Sequence, residues 1–185
     1  MAGVARVPNV LVVPAASPAR SVQQLIALAK ASPGRLSYSS GGNGSAAHIA
    51  FEYFKLRTAV FMLHIPYRGS ASSITDLIAG QVDATFTGAP AVLAHVRSGR
   101  LRALAVSSAQ RLPTLPEVPT MAESGYPGFE ADQWYGLVAP AGVAAALAAE
   151  GAVPMPGPPQ AFGALIAAEI PRWREVVRAC QVRPE

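Results

Sequence analysis

Residues 36–48 read LSYSSGGNGSAAH, and this stretch predicts a strand, a turn and a helix in direct succession. The strand covers residues 36–39, and the glycines that follow it permit tight backbone conformations. The helix has an apolar stripe at helical spacing, formed by Ala46, Ile49, Ala50, Tyr53 and Phe54. Because such a unit packs as one sheet strand covered by one helix, it predicts an α/β layer fold.

The same unit recurs on either side of this stretch. Residues 9–13 (NVLVV) form a continuous apolar run that is typical of a buried strand. Residues 21–24 (SVQQ) match a capping box, and they open a helix that ends at Pro33. Further strands are expected at residues 62–65, 82–86 and 101–106, with helices between them. The alternation predicts an α/β fold with a mostly parallel sheet flanked by helices.

The C-terminal part of the sequence is organised differently. Residues 120–123 (TMAE) match a second capping box, which opens a very short helix. A strand is expected at residues 133–138 and a proline-rich loop at residues 151–159. An amphipathic helix follows over residues 162–177, and Pro171 is predicted to kink or split it.

The composition excludes several classes of protein. Of the 185 residues, 51% are hydrophobic and 14% are charged, which is typical of a globular chain. The formal net charge is +4, and no basic run is dense enough to predict a nucleic-acid partner. No uncharged apolar stretch reaches the roughly 18 residues that a membrane span needs. The single cysteine, Cys180, excludes an internal disulfide.

The sequence offers no catalytic constellation. Its three histidines, His48, His64 and His95, form no HExxH pattern, and there is no GxSxG. The sequence therefore predicts that the protein is not an enzyme and has neither a cofactor nor a metal site. A phosphate- or nucleotide-handling α/β enzyme is the weakest of the hypotheses, because it needs an acid, a base or a metal near the turns.

Three turns follow strands and precede helices: a first turn at residues 40–45, a second turn at residues 67–70 and a third turn at residues 87–89. In an open parallel sheet these turns meet at the carboxyl ends of the strands, where ligands bind. Their small residues let a ligand approach the backbone, and each following helix presents unpaired N–H groups. The turns therefore predict a site for an oxygen-bearing anion such as a carboxylate.

The motifs around these turns resemble a known family. Residues 36–48 are similar to the SxGNGSxxH turn of the Bug (TctC-type) proteins, the extracytoplasmic solute receptors of tripartite tricarboxylate transporters. Residues 64–70 (HIPYRGS) resemble the HVPYKGS motif of that family, and residues 99–106 (GRLRALAV) resemble GKLRALAV. The resemblance runs in unbroken order from about residue 6 to residue 142.

The resemblance implies one lobe of a type II periplasmic-binding fold that holds a small organic acid without catalysis. Residues 1–142 would form the second, solute-binding lobe, and residues 143–185 would form a shortened C-terminal helical tail. The ligand-binding residues that it implies are Ser40, Gly42, Asn43, Gly44, Ser45, His48, Tyr67, Gly69, Ser70 and Thr87. Thr87 stands where the family often has an acid, which favours an anionic group of the ligand over an ammonium group.

The implied partners are a di- or tricarboxylate and the membrane subunits of the transporter. The implied location is the periplasm; no signal peptide is recognisable, so a cytoplasmic location is expected if Met1 is the true start. Because the family's first lobe has no counterpart here, we expect very weak binding by this chain alone, and self-association through the exposed lobe face. The alternative is a truncated remnant that binds no solute and associates with itself.

Overall fold

The structure is a computed structural model, and it describes residues 3–136, 150–151, 153–154 and 159–182. The strands are β1 (Gly3–Val7), β2 (Asn9–Pro14), β3 (Ser37–Ser40), β4 (Leu63–Pro66), β5 (Ala84–Gly88), β6 (Leu101–Val106), β7 (Gln133–Gly136) and β8 (Val153–Pro154). The helices are α1 (Val22–Ala31), α2 (Ala46–Thr58), α3 (Ser70–Ile78), α4 (Ala89–Arg97) and α5 (Pro159–Ala179). Among the described residues, none of the helices has the length and apolar character needed to cross a bilayer.

Five strands form the central sheet, in the order β4-β3-β5-β2-β6. β3 pairs in parallel with β4 and β5, whereas β2 pairs antiparallel with β5 and β6. β2 therefore runs against the other four strands of this five-stranded sheet. The predicted α/β fold with a mostly parallel sheet is confirmed, and the reversal of β2 makes the sheet mixed.

Helices cover both faces of the central sheet. Leu11 and Val13 of β2 pack into the core cluster of α1 and α2, whereas Val10 and Val12 pack into that of α3 and α4. This division follows from the two-residue period of a strand, which sends successive side chains to opposite faces. A strand that is buried on both faces reads as a continuous apolar run, as residues 9–13 do.

The carboxyl ends of β3, β4, β5 and β6 lie at the same end of the central sheet, and we call this end the rim. Because β2 is reversed, it brings its first residue, Asn9, to the same end, where Asn9 pairs with Gly88 of β5. The first turn follows β3, and the second turn follows β4. The rim is therefore the part of the fold that positions the candidate site.

A smaller sheet has the order β7-β1-β8, and both of its pairings are antiparallel. β8 lies at Val153–Pro154, where the sequence predicts a loop. Its pairing partner is β1, and no local pattern reveals a partner that lies so far away in the chain. The predicted strand at residues 133–138 is observed as β7 up to Gly136; its last two residues and the predicted boundary after residue 142 lie outside the described residues.

The prediction for Pro171 was a kink or a split, and the split is wrong, because α5 is one helix that continues through this residue. An interior proline removes one backbone hydrogen bond and crowds the preceding turn. Packing on α2 offsets that loss, because Val176 is buried in the core and the Trp173 ring meets the Tyr53 ring edge-on at 5.9 Å.

The second capping box forms without the predicted helix. Thr120 Oγ1 accepts a hydrogen bond from the Glu123 N–H at 3.0 Å, and the Glu123 carboxylate accepts one from the Thr120 N–H at 2.7 Å. Residues 121–125 form turns, and Gly125 has a φ of 97°, which a helix cannot continue. The segment is too short to repay the cost of helix nucleation.

Candidate functional site

The first turn is held together by its own side chains. Ser40 Oγ accepts a hydrogen bond from the Gly42 N–H at 3.2 Å, and His48 Nδ1 accepts one from the Gly44 N–H at 3.0 Å. Ser45 Oγ caps α2 by accepting from the His48 N–H at 3.3 Å. These amides are therefore satisfied within the turn, and their side-chain partners position the turn.

The second turn lies in contact with the first. The Gly69 N–H donates to the Gly41 carbonyl at 3.2 Å. A Cβ atom added to Gly41 would lie 3.3 Å from the nitrogen of Ser70, which is the first residue of α3. Gly69 has no side chain with which to cap α3, so the first amides of this helix lack a side-chain acceptor. The first and second turns therefore touch at the rim, where the first leads into α2 and the second into α3.

Tyr67 of the second turn is directed along α3. Its hydroxyl donates to the Asp76 carboxylate at 2.8 Å. Burial, the hydrogen bond and the charge of Asp76 raise the pKa of Tyr67 above its ordinary value. The phenol is therefore a neutral strut between the turn and the helix.

The predicted third turn is not observed as a separate segment, because β5 extends to Gly88 and α4 begins at Ala89. Thr87 is consequently a strand residue that pairs with Val10, and it is buried. A Cβ atom added to Gly88 would lie 3.2 Å from Gln133 Nε2, so the end of β5 packs against the start of β7. α4 also begins without a side-chain cap, and Pro90 occupies its first turn.

Two histidine rings lie beneath the first turn. The rings of His48 and His64 stack with centroids 3.9 Å apart and an interplanar angle of 11°. His64 Nε2 lies 2.7 Å from Ser40 Oγ. Burial lowers the pKa of His48, and burial together with the charge of a protonated His48 lowers the pKa of His64 to about 4. Both rings are therefore neutral at physiological pH.

A cleft of about 270 Å³ opens beside the first turns of α2. Its walls combine an apolar side from the helices with a polar side from the segment that leads into β7. The lining residues are Asn9, Ala46, Ile49, Ala50, Ala131, Asp132, Gln133, Trp134, Tyr135 and Trp173. The cleft is the concave feature that adjoins the N-terminus of α2.

Asn9 organises the polar side of the cleft. Its Nδ2 donates to the Ala131 carbonyl at 2.5 Å, and its Oδ1 accepts from Gln133 Nε2 at 2.6 Å. Its backbone N–H donates to Ser107 Oγ at 2.9 Å, and the Ser107 hydroxyl donates to Asp132 at 2.5 Å. This network ties β2, β6 and the segment before β7 together at the rim.

Asp132 is the acid on the cleft wall, and its side chain is 7% exposed. Burial raises the pKa of this carboxyl, while the Ser107 hydrogen bond and the Arg6 guanidinium, 4.0 Å away, oppose the rise. The balance makes its negative charge costly in the folded chain. Among the described residues, no group of three or more histidine, cysteine and acidic side chains is placed to hold a metal ion.

The model of the tripartite tricarboxylate transporter family receptor, TctC, matches residues 1–179 of the chain. The chain belongs to the TctC receptor family. This family consists of non-catalytic solute-binding receptors. The family that the motifs of the rim turns indicate is therefore confirmed.

Individual relatives agree with this assignment. The TctC chain is 42% identical over 193 residues to protein BugT of Bordetella pertussis, covering 93% of this chain and 59% of that protein. It is 45% identical over 139 residues to a protein encoded between tcbD and tcbE in Pseudomonas sp. strain P51, covering 75% of this chain and 41% of that protein. The TctC chain therefore spans 59% or less of the length of these two relatives.

Solved structures are similar over nearly the whole chain. A Rhodopseudomonas palustris protein solved with adipate has a TM-score of 0.88 and 35% identity, covering 100% of the TctC chain and 69% of that protein. The periplasmic binding protein BugD has a TM-score of 0.85 and 29% identity, with coverage of 99% and 69%. MatC from Rhodopseudomonas palustris, solved with bound malate, has a TM-score of 0.82 and 25% identity, with coverage of 95% and 68%.

The structure brings together the predicted residues of the first two turns and places Thr87 on a neighbouring strand. None of the residues predicted from the sequence is on the described walls of the cleft. Sequence reasoning missed Asn9 and the segment at residues 131–135 of the TctC chain. A signal for Asn9 was present, because a polar residue opens an otherwise apolar strand. The contribution of Trp173 from α5 had no local signal.

Proposed function

We propose that this chain is the carboxylate-binding lobe of a tripartite tricarboxylate transporter receptor. It holds one carboxylate group of a small di- or tricarboxylate at the rim and leaves the covalent bonds of the solute unchanged. Adipate and malate, each present in the structure of a similar protein, represent this class of solute. In this proposal, residues 1–142 are the solute-binding lobe, and the remaining residues are a tail that packs against it.

One observation carries the proposal: the turns that lead into α2 and α3 contact each other at the rim. The Gly41–Gly69 hydrogen bond and the short approach of Gly41 to Ser70 bring them together. A helix N-terminus presents unpaired N–H groups and a positive partial charge, so two of them favour an oxygen-bearing anion. Charge-assisted hydrogen bonds of this kind contribute about 1.5–3 kcal/mol each.

The predicted site residues take two different roles in this proposal. The Ser70 hydroxyl and the amides of Ala46 and Ala47, which have no acceptor within α2, contact the carboxylate. The remaining residues of the first two turns shape the backbone that presents these groups. They are Ser40, Gly42, Asn43, Gly44, Ser45, His48, Tyr67 and Gly69. The hydroxyl of Thr87 keeps the neighbouring strand end uncharged and so favours an anion over an ammonium group.

The cleft beside α2 receives the rest of the solute. Ile49, Ala50 and Trp173 supply apolar walls that suit the methylene groups of an aliphatic diacid, and Gln133 and Asp132 supply polar atoms. Burial of each methylene group contributes about 0.8 kcal/mol. A dicarboxylate with an aliphatic body therefore fits the cleft better than a compact inorganic anion.

Titration of the ¹⁵N-labelled 185-residue chain with millimolar adipate, followed by NMR, tests the proposal. We expect saturable shifts of the amide signals of Ala46, Ala47, Ser70 and Ala71. Adipamide, which has the same length and no charge, is the control and leaves these signals in place. A second hollow of about 480 Å³ between α3 and α4 includes His95 and Arg100 on its walls. Ser70 and Ala71 also line that hollow, so shifts confined to its lining residues with no change at Ala46 and Ala47, or no shifts at all, would contradict the proposal.

A matched pair of glycine variants sharpens the assignment. Gly41→Ala places a Cβ atom 3.3 Å from the Ser70 nitrogen and pushes the two turns apart, so it weakens adipate binding. Gly163→Ala on α5 meets nothing within 4 Å and leaves binding unchanged. Equal affinities of the two variants for adipate would show that the contact between the two turns does not contribute to binding.

Self-association is the second candidate, and exposed aromatic residues at the cleft favour it. Trp134 and Tyr135 are 36% and 49% exposed beside the cleft. Exposed apolar surface of this kind is typical of protein contacts when it is contiguous. Light scattering after gel filtration measures the mass of the particle: a mass that rises with concentration, together with no adipate shifts, would favour this candidate over the carboxylate-binding lobe.

The location and the transporter partners follow from the family. BugD is described as a periplasmic binding protein, and we propose the same compartment for the protein to which this chain belongs. The membrane subunits of the transporter are its proposed partners there. Fractionation of cells that produce the protein tests the compartment, with recovery in the periplasmic fraction expected and retention in the cytoplasm contradicting it.

A further inference from the structure

We propose that His48 and His64 form an acid-sensitive clamp that positions the first turn only while both rings are neutral. The proposed occupant of the rim is then released when the pair is protonated. The second part of this inference rests on the proposed function, whereas the first part concerns the turn alone. The two histidines act here as positioning residues, since each reaches the rim through an atom of the turn.

The clamp consists of contacts from two different elements to one turn. His48, in the first turn of α2, accepts the Gly44 N–H at its Nδ1 atom. His64, in β4, places Nε2 2.7 Å from Ser40 Oγ, and the same oxygen accepts the Gly42 N–H. The stacked rings, 3.9 Å apart, join the two sets of contacts. Both ends of the glycine-rich segment are therefore attached to one pair of rings.

Protonation opposes these contacts in two ways. A protonated imidazole carries hydrogen on both nitrogens, so His48 Nδ1 can no longer accept the Gly44 N–H. Two imidazolium rings in a stack 3.9 Å apart also repel each other in a partly buried site. The lowered pKa values of both histidines agree with these effects, since burial disfavours the charged rings.

The groups around the pair do not remove this sensitivity. From β3, the Tyr38 ring stacks on His64 at 4.8 Å, and its hydroxyl donates to Glu52 at 2.5 Å. On α2, Glu52 favours protonation of both rings, but Lys55 lies 2.6 Å from its carboxylate and opposes that effect.

Cys180, which follows α5, completes the surroundings, and its thiol approaches the Glu52 carbonyl at 3.6 Å. Burial raises the pKa of this thiol. Cys180 is therefore a neutral neighbour in the acidic range. Burial, rather than a net local charge, is therefore the main cause of the lowered pKa values of His48 and His64.

The decisive experiment is an NMR titration of the ligand-free 185-residue chain from pH 7.5 to pH 3. We expect the rings of His48 and His64 to protonate well below the ordinary histidine value of about 6.5. The amide signals of Gly42 and Gly44 should move over the same pH range as the rings. Rings that titrate near the ordinary value, or glycine amides that do not follow them, would overturn the clamp.

A double variant separates the clamp from general acid effects. His48→Asn and His64→Gln keep polar atoms near Nδ1 and Nε2 but cannot be protonated in this range, so the glycine signals should become insensitive to pH. His95→Gln removes a histidine outside the pair and is the matched control, which should retain the wild-type profile. Glycine signals that respond to pH equally in the double variant would contradict the proposal. If the double variant does not fold, the wild-type titration still decides the matter.

Adipate affinity, measured on the same samples, links the clamp to the site. The ratio of the wild-type affinity to that of the double variant should fall about tenfold between pH 7 and pH 3, since pH 3 lies about one unit below the pKa of His64 and each unit corresponds to a tenfold change in equilibrium. Taking this ratio cancels the protonation of adipate itself. A pH-dependent turn without adipate binding leaves the clamp in place and defeats the proposed function. Adipate binding with an affinity ratio that does not change with pH supports the proposed function and contradicts the release of adipate by the clamp.

Discussion

The role of a single residue at the rim does not follow from its residue type. His48 and Ser40 have the chemistry of ligand contacts, yet each uses its side chain on the turn to which it belongs. Asp132 is an acid with a raised pKa in a cleft proposed to receive an anion. At this scale the conformation and the charge of one residue can be tested directly.

Gly42→Ala is expected to destabilise the chain. Gly42 has a φ of 127°, which residues with a side chain rarely adopt, and its added Cβ atom would lie 3.4 Å from the Tyr67 carbonyl. Residues forced into such regions cost roughly 1–3 kcal/mol. Urea unfolding measures the loss. Gly163→Ala is the control and should stabilise the chain by about 0.5–1 kcal/mol, because it lies in a helix with open space around it. An unchanged stability of the Gly42 variant would refute the prediction.

Asp132→Asn is expected to increase the free energy of unfolding at pH 7. The carboxyl of Asp132 has a raised pKa in the folded chain, chiefly because of burial, so its ionisation at neutral pH opposes folding. As the pH falls through the raised pKa, the wild type gains stability and the advantage of the variant disappears. Urea unfolding at pH 7 and at pH 3.5 measures both effects.

An acid with the opposite shift provides the control for Asp132. Arg111 and the Thr120 N–H lower the pKa of Glu123, so its charged form favours folding. Glu123→Gln should therefore be less stable than the wild type at pH 7, and the difference should vanish as the pH falls through the lowered pKa. Destabilisation by Asp132→Asn that does not change with pH would show that its contacts with Ser107 and Arg6 outweigh its burial.

At the scale of elements, the starts of helices determine what the rim can bind. α1 and α2 begin with serine caps, whereas α3 and α4 begin at glycines that offer no side-chain acceptor. Of these two uncapped helices, α3 lies against the first turn. Among the helices that begin at the rim, α2 therefore has a side-chain cap, whereas α3 and α4 have none.

Ser45→Ala is expected to cost about 1 kcal/mol of stability, because it removes the cap of α2. Ser21→Ala removes the equivalent cap of α1, where Ser21 Oγ accepts from the Gln24 N–H at 3.2 Å, and it should cost a similar amount. Only the Ser45 variant should also shift the amide signals of Gly42 and Gly44. Thermal unfolding and NMR spectra of both variants provide the comparison, and identical spectral changes at the rim would argue against a local role for this cap.

At the scale of the whole molecule, the described part of α5 belongs to the core of the lobe. Val176 is in the same buried cluster as Leu11 of β2 and Phe51 of α2. Arg172 donates to the Glu130 carbonyl and so ties the helix to the segment before β7. The helix therefore forms one wall of the cleft, through Trp173, and part of the core beneath it.

Val176→Ala is expected to lower the free energy of unfolding by about 1–3 kcal/mol, since it removes two buried methyl groups and leaves a small cavity. Ile170→Ala changes a side chain of the same helix at a residue that is 49% exposed, so it should have little effect. Circular dichroism and tryptophan fluorescence should report one coincident transition in both variants. A separate, earlier transition of α5 would show that the helix is not part of the cooperative unit.

Much of the fold could be predicted from local sequence patterns. The apolar run at residues 9–13, the serine caps and the glycine-rich turns each indicate an element through a few neighbouring residues, and their alternation indicates layers. Thr87 shows the limit of this approach. The predicted strand ends at residue 86 and leaves Thr87 in a turn, whereas the observed β5 ends at Gly88 and includes Thr87.

The amino-acid sequence by itself determined the α/β layers, the alternating strands and helices of the central sheet, the first two turns and the family, because these depend on short-range periodicity and on contiguous motifs. Only the tertiary structure decided the reversal of β2, the pairing of β8 with β1 and the composition of the cleft. Asn9 and Gln133 are 124 positions apart in the chain, and His48 and His64 belong to different elements. Such contacts depend on strand register and packing across the whole core, which no local pattern encodes.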